Sequence, residues 1–133
     1  MATVIGLRDY VSKNNFPGVI LGLSGGIDSA FCAAVAVDAL GKDKVEAYML
    51  PSAYTSENST IDAEDCANRL EINLETISIS DTFLSLEESL KTSFEGLPND
   101  ITEENLQSRI RGTILMAISN KKGKMLITTG NKS

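Results

Sequence analysis

The stretch from Val19 to Ser29, VILGLSGGIDS, constrains this chain most, because an apolar run stops at a glycine pair and a helical pattern follows. Val19 to Leu23 carries no charge and predicts a strand buried on both faces. The alanine-rich run from Asp28 to Leu40 predicts a helix, which Gly41 ends. A helix that starts directly after a strand presents backbone N–H groups and the positive end of its dipole at one point. The turn therefore predicts an anion site, and phosphate is the usual anion.

The remainder of the chain alternates strands with helices. Further strands are predicted at Val45–Leu50, Leu74–Ile79 and Met125–Thr129, and further helices at Thr3–Lys13, at Thr60–Leu70, along the stripe Phe83, Leu86, Leu90 and Phe94, and from Thr102 along Leu106, Ile110, Ile114 and Ile118. This alternation predicts βαβ units and a mostly parallel sheet. Ligands of such sheets bind at the carboxyl ends of the strands. We therefore expect Ser24–Ser29, Pro51–Ser56 and Thr129–Ser133 to line one site.

The composition of the chain argues against some classes of binding partner. The net charge of −6 argues against nucleic acid, which needs a basic face, but a single nucleotide needs only a few donors. No apolar run approaches the roughly 20 residues that span a membrane, and no signal peptide is visible at the start. Cys32 and Cys66 lie among small apolar residues of predicted helices, and we expect buried free thiols in a reducing cytoplasm.

Two familiar motifs fit the glycine turn poorly. A Walker phosphate loop requires a lysine directly after its glycines, and the first lysine after this turn is Lys42. Gly22 to Gly26 does match the nucleophile elbow G-x-S-x-G, with Ser24 as the nucleophile. That chemistry needs a base, nearly always histidine, and the chain contains none.

A third interpretation uses every polar residue of the turn. Ser24 and Ser29 offer hydroxyl donors to a pyrophosphate, and Gly25 and Gly26 offer backbone N–H groups. Asp28 brings a carboxylate to the start of the helix, where it is suited to hold Mg²⁺ against the same phosphates. The bland alternative is that Asp28 only caps the helix.

The motif Ser24–Ser29 resembles the loop of the ATP pyrophosphatases, which include NAD, GMP and asparagine synthetases and tRNA-modifying enzymes. Three further segments resemble glutamine-dependent NAD⁺ synthetases in the same order along the chain. They are Leu50–Glu57 (LPSAYTSE), Glu104–Gly112 (ENLQSRIRG) and Thr128–Ser133 (TTGNKS). The chain is thus identified as a member of the NAD⁺ synthetase family, and its residues 1–133 are expected to form the N-terminal part of an ATP-pyrophosphatase domain.

The resemblance implies an α/β fold, a Rossmann-like parallel sheet flanked by helices of the adenine nucleotide alpha hydrolase-like type. It implies that deamido-NAD is adenylated by ATP and that ammonia, free or from glutamine, then displaces AMP. It also implies a homodimer and a glutaminase domain upstream. The implied ATP contacts are Gly22, Leu23, Ser24, Gly25, Gly26, Ile27, Asp28, Ser29, Leu50 and Thr129, with Mg²⁺ on the catalytic Asp28 and deamido-NAD on Arg109. Arg111 is expected to be solvated.

The sequence stops inside a family motif, and the second metal-binding glutamate of the family follows the position of Ser133. We therefore expect a domain truncated at its C-terminus and inactive on its own. Two alternatives stay open at this point. One is another ATP pyrophosphatase, such as a GMP synthetase-like domain, and the other is a non-catalytic nucleotide-binding or dimerising domain.

Overall fold

A computed structural model of the chain describes residues 17–127. The elements are β1 (Val19–Gly22), α1 (Ile27–Leu40), a 3₁₀ turn (Lys42–Lys44), β2 (Val45–Met49), α2 (Glu57–Leu70), β3 (Asn73–Thr76), α3 (Ser80–Leu90), α4 (Ile101–Lys122) and β4 (Met125–Ile127). The predicted helix Thr3–Lys13 and the end of the predicted fourth strand lie outside the described residues. No helix within residues 17–127 is long and apolar enough to cross a membrane.

The four strands form one parallel sheet in the order β3-β2-β1-β4, which confirms the predicted fold class. Val19 of β1 pairs with Val45 of β2 on one side and with Met125 of β4 on the other. The strand order therefore reverses at β1, because the chain adds two strands to one side and then crosses to the other. Such a switch point opens a crevice at the carboxyl ends of the strands.

Helices cover both faces at the centre of the sheet, where β1 (VILG) carries no charge, whereas the edge strand β3 (NLET) is mostly exposed. One core cluster joins alternate β1 and β2 residues to α1 and α2, where small residues such as Ala33 and Ala63 are fully buried. The other cluster joins Ile20 and Tyr48 to α3 and α4. The α4 stripe of Leu106, Ile110, Ile114 and Ile118 belongs to this second cluster. The stripe is therefore core, as its apolar spacing predicts.

Several element boundaries differ from prediction by one residue, and two differ by three residues. Helix α1 begins at Ile27, one residue early, and α2 begins at Glu57 instead of Thr60 because the Ser56 side chain accepts the Ser59 N–H as an N-cap. Strand β3 ends at Thr76 instead of Ile79. The Ile79 N–H nevertheless donates to O of Pro51 at 2.8 Å, so the chain still follows β2 beyond the regular ladder.

Helix α4 is fixed at both ends and runs antiparallel to β2. Asp100 and Glu103 form a capping box at its start. At its other end, Lys122 contacts Glu46 at 3.0 Å, and Lys124 pairs with the same carboxylate at 2.5 Å. The amino-terminal half of α4 therefore lies next to the carboxyl end of β2 and borders the crevice. The two cysteines are free thiols, as expected, but both are only partly buried.

Candidate functional site

A cavity of about 680 Å³ lies at the carboxyl ends of β1 and β2. Its walls are the end of β1, the segment after β2 and the amino-terminal half of α4. The lining residues are Gly22, Leu23, Ser24, Ser29, Tyr48, Met49, Leu50, Pro51, Tyr54, Thr55, Ser56, Ser59, Ser108, Arg111, Gly112, Leu115 and Ile127. Two of the three predicted loops thus share one site, and the third, Thr129–Ser133, lies outside the described residues.

Two serine hydroxyls hold the glycine turn in shape. The buried Ser29 Oγ accepts the Ser24 N–H at 3.1 Å and donates to O of Gly26 at 3.2 Å. Since its single proton is used there, Ser24 donates in the 3.1 Å contact between the two hydroxyls. Ser24 Oγ also accepts the Gly26 N–H at 3.3 Å. Neither hydroxyl contacts a basic side chain in residues 17–127, so nothing in this turn supports the nucleophile elbow.

Position 25 requires a glycine for two reasons, its backbone conformation and the closeness of a neighbouring backbone. Its φ of +88° lies in the left-handed region that disfavours a side chain. A Cβ built there would lie 2.5 Å from O of Ser59, in the first turn of α2. The turn therefore packs backbone to backbone against the first turn of α2.

Asp28 does not cap helix α1, so the alternative that this residue serves only as a helix cap is wrong. Gly26 occupies the N-cap position of α1 without a side-chain cap bond, and Asp28 lies exposed in the first turn. The first N–H groups of a helix have no carbonyl partner within it, so this turn combines donors with a carboxylate. Residues 17–127 gather no three His, Cys, Asp or Glu side chains in a metal-binding arrangement. Mg²⁺ often takes only one or two carboxylates beside substrate phosphates, and the residues present fit that pattern.

The structure separates the predicted site residues into groups. Gly22, Leu23, Ser24, Ser29 and Leu50 line the cavity, whereas Gly25, Gly26, Ile27 and Asp28 complete the turn outside its lining. Arg109 is exposed and does not line the cavity. Thr129 lies outside the described residues. The ligand contacts of all these residues stay predictions.

The expectation of a solvated Arg111 is wrong. Arg111 is half-buried, lines the cavity and donates from Nε to O of Leu50 at 2.8 Å. Burial lowers the pKa of the Arg111 guanidinium from its ordinary value, although an arginine stays protonated at neutral pH. The carbonyl of Leu50 therefore already accepts one hydrogen bond, and its second lone pair and the Leu50 N–H are the backbone groups to test for the predicted adenine contact.

Sequence reasoning missed a buried polar contact that fixes the segment after β2. Ser52 Oγ donates to Gln107 Oε1 of α4 at 2.9 Å, and both side chains are buried. Ser52 Oγ also accepts the Tyr54 N–H at 3.1 Å, and the Ser52 N–H donates to Thr55 Oγ1 at 2.9 Å. The signal was the i, i+4 spacing of two polar residues, Gln107 and Arg111, beside an apolar helix stripe.

Known proteins resemble this chain along nearly its whole length. A glutamine-dependent NAD(+) synthetase from Rhodobacter capsulatus is 55% identical over 132 residues, which are 99% of this chain and 24% of that protein. The solved structure of a glutamine-dependent NAD+ synthetase from Acinetobacter baumannii in complex with adenosine diphosphate has a TM-score of 0.94 and 49% identity, over 98% of this chain and 25% of that one. An NH3-dependent NAD synthetase from Campylobacter jejuni has a TM-score of 0.85 and 27% identity, over 98% of this chain and 54% of that one.

The chain spans about a quarter of the length of the curated relatives it matches. Over that span the fold agrees with those of the solved relatives. The model of the NAD synthase family matches residues 1–133, and the chain belongs to this family.

Proposed function

We propose that the chain is the N-terminal part of an ATP-pyrophosphatase domain that amidates deamido-NAD at the expense of ATP. The observation that carries the proposal is the serine-bridged turn at the switch point of the sheet, directly beside a cavity of about 680 Å³. The Acinetobacter baumannii relative, which has a TM-score of 0.94, was solved with adenosine diphosphate, and this supports a nucleotide as the ligand.

The turn is suited to the departure of pyrophosphate. When the nicotinate carboxylate attacks the α-phosphate, negative charge grows on the leaving β- and γ-phosphates. The N–H groups at the start of α1 and its dipole are fixed before the reaction, so they stabilise that charge without reorganisation. Mg²⁺, held by Asp28, would neutralise part of the phosphate charge. Ser29 keeps the turn in place from within the protein.

Several finer assignments belong to the same proposal. Glutamine is the proposed source of the ammonia, because the Rhodobacter capsulatus and Acinetobacter baumannii relatives are named glutamine-dependent. A glutaminase domain upstream and a homodimer follow from the resemblance. The free thiols of Cys32 and Cys66 suit a reducing compartment and support a cytoplasmic location.

Titration calorimetry with ATP tests the metal role of Asp28. We expect Asp28→Asn to weaken Mg²⁺-dependent ATP binding by about tenfold, which corresponds to about 1.4 kcal/mol. Binding without Mg²⁺ should not weaken, because a carboxylate alone repels phosphates. Asp38→Asn is the matched control, since Asp38 is exposed on the same helix and does not line the cavity. Equal ATP affinities of the Asp28 and Asp38 variants in Mg²⁺ would contradict the assignment.

The ligase chemistry is tested in a chimera that carries this chain in place of the matching segment of the Rhodobacter capsulatus enzyme. In the absence of ammonia, labelled pyrophosphate should enter ATP only when deamido-NAD is present, as a reversible adenylation requires. Addition of ammonia should yield NAD and AMP. Release of ADP by a folded chimera would overturn the proposed reaction.

A further inference from the structure

Arg111 is the one charged side chain among the described residues that line the cavity. Its only hydrogen bond within residues 17–127 runs from Nε to O of Leu50, at 2.8 Å. The ion pairs of the described residues use other cations, such as Arg69 with Asp65 at 3.0 Å, and none includes Arg111. A half-buried guanidinium in this acidic chain thus faces a cavity without a carboxylate partner among residues 17–127.

This arrangement costs free energy unless an anion completes it. A guanidinium that leaves water loses hydration, and only an opposite charge restores most of that loss. The Leu50 carbonyl is neutral, so it orients the side chain without neutralising it. Arginine has five N–H donors, and four of them remain on the two Nη groups once Nε is occupied. Those groups form the fork that matches phosphate oxygens.

The packing of α4 brings Arg111 close to the start of the glycine turn. Leu115, one helical turn after Arg111, packs beside Gly22, where a Cβ would lie 3.2 Å from Leu115 Cδ1. Gly112 and Leu115 line the cavity together with Arg111, so one face of α4 forms the wall. The Ser24–Ser29 turn stands at the end of β1, and Arg111 stands at the end of β2, across the same space.

We propose that Arg111 binds the phosphate chain of ATP from the α4 side of the cavity, while the Ser24–Ser29 turn holds it from the α1 side. This inference rests on the proposed function, since it presumes that ATP is the ligand. Leu50 acts as a positioning residue, because its carbonyl fixes Nε and presents both Nη groups to the phosphates.

Calorimetry with three probes isolates the phosphate contact. The probes are ATP, inorganic pyrophosphate and adenosine, each measured with Mg²⁺. We expect Arg111→Met to weaken ATP and pyrophosphate at least tenfold and to leave adenosine within twofold. Arg111→Lys should lie between, since a lysine keeps the charge and loses the fork. Arg69→Met removes an exposed arginine of α2 and should leave all three affinities within twofold.

The outcomes separate this inference from the function on which it rests. If the unsubstituted chain binds neither ATP nor pyrophosphate, the proposed function fails and this inference falls with it. If that chain binds both probes and Arg111→Met binds them equally well, only the role of Arg111 is overturned. Equal losses for ATP and adenosine would also overturn it, because they would show that Arg111 only supports the wall. If circular dichroism shows that Arg111→Met does not fold, the same comparison is made with Arg111→Lys.

Discussion

Gly25→Ala should destabilise the protein by more than the strain of an alanine at positive φ alone would cause. The methyl group would meet O of Ser59 at 2.5 Å, a distance that real Cβ atoms do not reach. Because that oxygen belongs to the backbone of α2, it cannot swing away as the tip of a flexible side chain would. Either the turn or the first turn of α2 must move.

Two other glycines allow the clash to be measured separately from the backbone strain. Gly41 has a φ of +92° and Gly123 a φ of +69°, and an added Cβ meets nothing within 4 Å at either position. Alanine there costs roughly 1–3 kcal/mol for a conformation that L-residues avoid. Overpacking against a fixed neighbour adds about 1–3 kcal/mol. Gly25→Ala should therefore lower the free energy of unfolding by roughly 2–6 kcal/mol, and the two control variants by roughly 1–3 kcal/mol.

Urea denaturation followed by circular dichroism measures the three variants, with unchanged m-values as the sign that the folded states remain comparable. Calorimetry with ATP then tests the site. We expect Gly25→Ala to weaken ATP binding because the N–H groups of the turn shift, while Gly41→Ala leaves ATP binding unchanged. If Gly25→Ala matched both controls in stability and bound ATP as tightly as the unsubstituted chain, the contact between turn and helix would not exist as described.

Two further predictions concern the frame around the cavity. Hydrogen bonds from Lys124, Lys122 and Tyr48 hold the pKa of Glu46 at about 2, well below its ordinary 4.5. A lowered pKa stabilises the fold above about pH 4.5, and this stabilisation is lost as the pH falls towards 2. At neutral pH we expect Glu46→Gln to be less stable than the unsubstituted chain by on the order of 1–2 kcal/mol after solvent screening. In urea titrations this difference should vanish between pH 4.5 and pH 2. Gln107→Met should cost about 1–3 kcal/mol because Ser52 loses a buried acceptor, and a double-mutant cycle with Ser52→Ala should show a coupling that two independent sites would lack.

Most of the fold could be predicted from the sequence because its signals are local. The apolar runs of β1 and β2, the alanine-rich α1 and the stripe of α4 each encode burial on a known period. The errors occur where a side chain or a neighbouring strand sets the boundary. Ser56 starts α2 early by capping it, and β3 loses regularity after Thr76 although Ile79 still bonds to Pro51. Neither effect has a periodic signal.

The position of the turn Ser24–Ser29 could be predicted because its sequence signals are local, although the two hydroxyls predicted to donate to a pyrophosphate donate within the turn, to Ser29 Oγ and to O of Gly26. The opposite wall could not, since the contact between Ser52 and Gln107 joins residues 55 positions apart. Its existence depends on where α4 lies after two crossovers. The sequence indicates that α4 has a buried stripe, but it does not indicate which strand end the stripe will meet.

The two arginines of α4 show most clearly what the sequence pattern cannot predict. Arg109 and Arg111 flank the buried Ile110, and at about 100° per residue they lie symmetrically on either side of the stripe. Periodicity therefore cannot decide which of them faces the strand ends. The direction of the crossover decides it, because β4 returns beside β1 and places the Arg111 flank over the cavity. Arg109 is exposed on the other flank. Its predicted contact with deamido-NAD consequently requires a ligand that passes along that second flank, whereas a ligand confined to the cavity meets only Arg111.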